Sequence, residues 1–268
     1  MGSFQQRYVS GELTHFAGRH SQALEDQYQI LLQIVRSGQL RRDPNYAPGT
    51  SPVSGRTQFG PRAHFSRRRT FDFPGVCFCD IPLADLEIHV HKYSCFGIAF
   101  PRDFLVQRGA SPVFYIANDS RIEPAACEAL GVEKQPCRRS DLFDLLVSEF
   151  IGIQSRLALS ARSVPPESCS GSVKDLKEAA TQMAELQTYL TEYVFSYCVP
   201  FEAALDDAHH DHYYMEREWR ILGDLVFDIA DVERLIVPRQ FGKRLRGDVP
   251  KFNGQLHFLD PRSPSAPP

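Results

Sequence analysis

Apolar residues fall into blocks of different period along this chain, and the periods predict its elements. Residues 22–40, QALEDQYQILLQIVRSGQL, space Leu24, Tyr28, Leu31, Leu32 and Val35 at helical intervals, and Gly38 supplies a C-terminal stop. Ahead of this helix, residues 8–16 read as a short strand ending near His15. PGVCFCDIPL (74–83) is a strand with a proline stop, CFGIAF (95–100) a buried strand broken by Pro101, and SPVFYIA (111–117) another strand. Short helices are predicted over 84–93 and over 102–109, the second closed by Gly109. Residues 41–70 carry Pro, Gly, Ser and Arg without a period and read as a long loop.

The texture changes near residue 120. Two amphipathic helices are predicted, over 140–157 and 173–198, separated by the loop-like SARSVPPESCSGS. Strand-like runs return at 213–222 and within 224–238. Alternation of short strands and short helices predicts an α+β domain around a strongly bent mixed or antiparallel sheet. We place that single domain over 1–259, with a helical insertion at about 120–205 and a disordered Pro-rich tail over 260–268.

YYMEREWRIL (213–222) carries the most unusual pattern. In a strand, Met215, Arg217, Trp219 and Ile221 share one face, and Glu216, Glu218, Arg220 and Leu222 share the other. This is too polar for two dry faces and too aromatic for a free edge, which predicts that one face lines a cleft. Two readings stay open. Glu216, Glu218 and Arg220 satisfy one another as a structural ion network, or a carboxylate on a cleft wall stabilises a developing cation and binds a sugar hydroxyl.

Composition narrows the classes. Of 268 residues 43% are hydrophobic, enough for a sizeable core, and 30 basic against 33 acidic side chains leave a net charge of −3. Bulk electrostatics therefore supports neither nucleic-acid nor membrane attraction. The N-terminal residues hold no apolar run of signal-peptide type, and no segment has the apolar length of a membrane span. The seven cysteines are scattered and odd in number, so reduced thiols in a cytoplasmic protein are expected. Cys77 and Cys79 form a CxC with no second pair and read as core thiols. DDAHHDHYY, with Asp206, Asp207, His209, His210, Asp211 and His212, matches no metal-ligand spacing and reads as a polar linker, so no metal is expected. His89 and His91 are two apart and do not share a helical face; one of them could point to the cleft with Tyr93. RAHFSRRR (62–69) is a basic patch that suits phosphate contacts or a solvated loop. Arg19 and His20 follow the first strand, where they could face a pyrophosphate. No glycine-rich phosphate loop or nucleophile elbow is present.

Two resemblances add to this. ELTHFAGRHSQALEDQYQILLQIVRSGQL resembles the opening of ADP-ribosyltransferase-fold proteins, where a first-strand histidine, here His15, holds the ribose of NAD. Glu216-Arg217-Glu218 resembles the ExE strand of the same superfamily. That implies a catalytic Glu218, with Glu216 orienting the acceptor. The second-strand position, usually Tyr or Ser there, falls on Phe78 and Cys79, a departure in which Phe78 could still stack on an aromatic ring. Over a longer stretch, ELTHFAGR, VCFCDIPLADLEIHVHKYSCFGIAFPRDFLVQRGASPVFYI and YYMEREWRIL, in that order, resemble the AbiGi abortive-infection family of phage-resistance antitoxins. Together they imply an ADP-ribosyltransferase-like sheet in a bacterial phage-defence protein, and two functions. One is a transferase or glycohydrolase that cleaves NAD, with Glu218 and Glu216 catalytic and His15, Phe78, Cys79, Tyr93 and Arg19 around the NAD. The other is a non-catalytic antitoxin or sensor that binds a toxin, a phage protein or a nucleotide.

Overall fold

A computed structural model describes residues 10–19, 21–42, 73, 75–88, 90, 92–129, 138–163, 171–205 and 213–261. In chain order they form β1 (Glu12–Phe16), α1 (Leu24–Ser37), β2 (Gln39–Leu40), β3 (Gly75–Cys79), a 3-10 helix (Leu83–Ile88), β4 (Gly97–Pro101) and α2 (Arg102–Val106). Then come β5 (Ser111–Pro112), β6 (Phe114–Ala117), α3 (Pro124–Ala129), α4 (Arg139–Arg162), α5 (Gly171–Tyr193) and β7 (Cys198–Phe201). A 3-10 turn (Tyr213–Glu216) leads into β8 (Glu218–Leu222), β9 (Leu225–Val226), β10 (Arg234–Val237), α6 (Arg239–Asp248) and β11 (Gln255–Phe258). The chain divides into two compact units. One takes the described parts of 1–44, 74–113 and 206–268, the other those of 45–73 and 114–205.

The first unit is built on a seven-stranded sheet of order β11-β10-β4-β1-β3-β8-β5. Every neighbouring pair is antiparallel except β10 and β11. The α+β class is thus met by a mostly antiparallel sheet flanked by helices. Residues paired in register share a face, so the ladders sort the side chains. One face carries Leu13, Val76, Phe78, Ile98, Phe100, Ile221, Leu235 and Val237, all in the main core cluster with Tyr28, Leu31 and Leu32 of α1 and Phe241 and Leu245 of α6. Full burial of each such side chain is worth about 1.5–3 kcal/mol. Phe241 fixes the contact between helices and sheet, its ring 4.8 Å from Tyr28 and 5.1 Å from Phe96. The other face has a smaller apolar cluster of Cys79, Ile81, Leu86, Ile236 and Leu259, and around it the charged side chains described below.

α1 forms where its apolar spacing predicts, burying Tyr28, Leu31, Leu32 and Val35 on one side. It ends at Gly38, which takes a left-handed φ of 63° and donates its N–H to the Ile34 carbonyl. A Cβ there would lie 2.6 Å from the Phe227 carbonyl oxygen, so the close crossing of β9 also demands glycine.

In the second unit β6 and β7 pair in parallel, and the long helices α4 and α5 pack on each other. Val147 of α4 is its buried centre, surrounded by Ile116, Phe143, Ile151, Phe195 and Cys198.

Several expected elements are corrected. The strand predicted over 111–117 is two strands, because β5 pairs with β8 while β6 pairs with β7. The helix predicted over 84–93 is a 3-10 helix over Leu83–Ile88. The strand predicted over 213–222 starts only at Glu218, since Tyr213–Glu216 is a 3-10 turn and Arg217 takes a left-handed φ of 47°. Cysteines also divide: Cys77, Cys79, Cys95 and Cys198 are free thiols, as expected, whereas Cys127 is disulfide-bonded. Among the described residues no helix is long and apolar enough to cross a membrane. His20, His89, His91, the 62–69 basic patch, the 206–212 Asp/His cluster and the residues of the tail beyond 261 lie outside the described residues.

Candidate functional site: a buried acid–base cluster

Thr14, Cys79 and Glu218 stand in register across β1, β3 and β8, so their side chains share the more polar face of the sheet. Glu218 is held there by the residue two positions on. Arg220 Nε donates to its Oε1 at 2.9 Å and Nη2 to its Oε2 at 3.1 Å, a two-point clamp between side chains only 7% and 10% exposed. Two residues apart on a strand is the spacing that puts both groups on one face.

Glu216 lies in the turn just before β8. Its Oε1 accepts a hydrogen bond from Lys92 Nζ at 2.9 Å, with both side chains largely buried. The Tyr93 hydroxyl also bonds to Glu216. Burial, reinforced by the Glu216 carboxylate, pushes the Tyr93 phenol far above its ordinary range, so it stays a protonated donor. Burial and the same carboxylate raise the Cys79 thiol, which is therefore no nucleophile at neutral pH. Tyr93 stacks on Phe16 at 5.5 Å and 4°, and the exposed Arg19 lies over the Tyr93 ring at 5.0 Å.

Between the two acids, Arg217 adopts a conformation that favours glycine. Strain of this kind costs about 1–2 kcal/mol. It is offset by an ion pair from Arg217 Nη2 to Asp80 Oδ2 at 2.9 Å, in which the Asp80 side chain is 6% exposed. Asp80 N–H also donates to the Arg217 carbonyl at 3.3 Å. Three acids, Asp80, Glu216 and Glu218, are thus each held by a base of their own, Arg217, Lys92 and Arg220.

His15 and Phe78 face the other way. Leu13, His15 and Phe78 alternate with Thr14 and Cys79 and point to the apolar face. The His15 ring meets Phe78 edge-on at 6.0 Å, and its Nδ1 lies 2.9 Å from the Cys77 carbonyl oxygen. A carbonyl only accepts, so Nδ1 carries the proton and Nε2 is the open acceptor of the neutral ring. Burial lowers the His15 pKa against the smaller upward pull of that hydrogen bond. Of the residues singled out in the sequence, the sheet brings Glu216, Glu218, Cys79, Tyr93 and Arg19 together. It sends His15 and Phe78 to the opposite face.

Lys92 and Asp80 escaped the sequence reading, though Asp80 carried a signal as the one charge within VCFCDIPL. Among the described residues no group of His, Cys, Asp and Glu is arranged to hold a metal ion. A pocket of about 510 Å³ opens elsewhere, between the ends of α1 and α6 and the segment after β9; none of the clustered acids or bases lines it.

A family model described as "Putative abortive phage resistance protein AbiGi, antitoxin" matches residues 65–244, more than half of the chain. The chain belongs to the AbiGi family. The matched span contains all three acid–base pairs and Tyr93, while β1, with His15 and Phe16, and Arg19 precede it. No curated protein and no solved structure matches the chain.

Proposed function

We propose that this AbiGi member is a binding protein of a bacterial abortive-infection system, an antitoxin that acts by engaging a toxin rather than by turnover. The observation that carries this reading is the clamp on Glu218: both carboxylate oxygens are bonded to Arg220 inside the fold. The clamp neutralises the Glu218 charge and turns both oxygens toward Arg220, whereas a carboxylate stabilises a developing cation best when it is aimed at the substrate. Glu216 is likewise committed to Lys92 and Tyr93. The family description supports the role and names antitoxins as its class.

A second reading has an observation of its own. Two buried carboxylates, a half-buried phenol, stacked rings and an arginine gather on one sheet face, the ingredients that would suit NAD in an ADP-ribosyltransferase-like fold. In it Glu218 bonds the nicotinamide ribose and Glu216 orients an acceptor. His15 and Phe78 would have to reach the NAD from the other face of the sheet.

One experiment separates the two. The purified chain is mixed with NAD, alone and with phage lysate, and released nicotinamide is measured; in parallel the chain is co-expressed with the products of the genes flanking its own, and growth and co-purification are scored. Binding and growth rescue without nicotinamide is the expected result. Nicotinamide release that disappears in Glu218→Gln, assayed at a temperature where circular dichroism shows the variant folded, would replace the binding reading with the enzymatic one.

A further inference from the structure

Asp80 is 4% exposed and is bonded on both sides by parts of the chain far apart in sequence. Its Oδ1 accepts the Ser10 backbone N–H at 2.8 Å, where the chain enters β1. Its Oδ2 accepts Arg217 Nη2 at 2.9 Å, and its own N–H returns a bond to the Arg217 carbonyl. Arg217 is where the 3-10 turn stops: its N–H reaches the Tyr214 carbonyl and its φ of 47° redirects the chain into β8. Such a terminating position is ordinarily glycine, which adopts it freely. An arginine holds it because its far end is anchored.

We propose that Asp80 is a latch coupling the start of β1 to the turn that presents Glu216 and Glu218. While Ser10 and Arg217 both hold the carboxylate, Arg217 stays left-handed and the two acids keep their separate bases. A partner that pulls the chain off Asp80 at residue 10 frees one oxygen, loosens the hold on Arg217 and lets the turn relax. The signal then passes from the start of the first strand to the acid cluster through one side chain. This inference goes beyond the binding reading and stands whether or not the cluster ever meets NAD.

Cys79 is the reporter. It lies opposite Glu218 in the ladder and is buried beneath Ile81 and Leu86, so a thiol reagent reaches it only when the structure at this end of β3 and β8 opens. The test measures native-state labelling of Cys79, located by peptide mass spectrometry, in the full chain and in Asp80→Asn, Arg217→Gly and the double variant, with circular dichroism confirming the fold. Asp80→Asn is expected to speed labelling about tenfold or more, the scale of one lost charge-assisted bond. In the Arg217→Gly background the same change is expected to act less than about threefold, because glycine needs no anchor. Equal factors in the two backgrounds, or no acceleration in either, would overturn the latch. If Asp80→Asn does not fold, Ser10→Pro, which deletes the N–H donor, is compared with Ser10→Ala, which keeps it. Faster Cys79 labelling in the proline variant upholds the coupling, and equal rates refute it.

Discussion

Neutralising Glu218 gives the sharpest prediction. Its carboxylate and the Arg220 guanidinium are joined by two hydrogen bonds with side chains 10% and 7% exposed. For an exposed ion pair, loss of one partner costs 0–1 kcal/mol. For a buried pair it leaves the other charge stranded and costs about 3–5 kcal/mol. Near-complete burial selects the second figure, so Glu218→Gln and Arg220→Met are each expected to destabilise the sheet unit by about 4 kcal/mol. At about 2–4 °C per kcal/mol, the melting midpoint should fall by roughly 8–16 °C. Replacing both, as Glu218→Met with Arg220→Met, removes the stranded charge and should recover most of the loss. Trp219, the chain's single tryptophan, sits between the two in β8 and reports this unit specifically. Its emission followed through urea and thermal unfolding supplies the four corners of the cycle. Single variants within about 1 kcal/mol of the parent, or a double variant as unstable as the sum of the two, would show that the pair is not a strut.

Two further outcomes follow from the same unit. His15 is neutral in the fold with its pKa held below 6.5, so the unfolded chain binds more protons between the two values and the histidine's contribution is complete above pH 6.5 and lost as pH falls through the folded pKa; urea midpoints taken from about pH 7 to about pH 5 should therefore fall less in His15→Gln than in the parent, and parallel curves would contradict the assignment. Gly38→Ala forces a side chain into a left-handed position with its Cβ 2.6 Å from the Phe227 carbonyl oxygen, so a loss of about 1–3 kcal/mol is expected in the same unfolding assay, and an unchanged midpoint would mean that the β9 crossing is looser than described.

How much of this could be read from the sequence differs by element, for physical reasons. α1 was legible because its signals are local: five apolar residues on one face and a glycine at the stop. β3 and β4 were legible as apolar runs bounded by turns. YYMEREWRIL misled because its alternation is continuous, while the break at Arg217 depends on Asp80, 137 residues earlier. SPVFYIA misled for a related reason, since strand continuity is decided by the partners, and its two halves have different ones. The Glu218–Arg220 pair was visible as one of two readings because both partners lie on one strand. Lys92 as the base for Glu216, 124 residues away, was not. Nor could β1 alone say which way His15 points: Leu13 and Thr14 are both buried, and only the register with β3 assigns the faces.

The acid cluster also bears on what kind of ligand the sheet face can take. Asp80, Glu216 and Glu218 are matched by Arg217, Lys92 and Arg220, so the buried part of the cluster is close to neutral. A ligand that takes one of these carboxylates from its base leaves a stranded buried ion, which costs several kcal/mol. That cost is of the same order as the stability change predicted for Glu218→Gln, which makes the unfolding experiment a measure of availability as well as of structure. Glu218 leaves Arg220 only for a ligand that brings enough binding energy, or enough positive charge of its own, to replace it. A protein partner meets no such demand, because it can engage the rim, where Arg19 is exposed over Tyr93, and leave every buried pair intact. That difference in cost supports the binding reading proposed above.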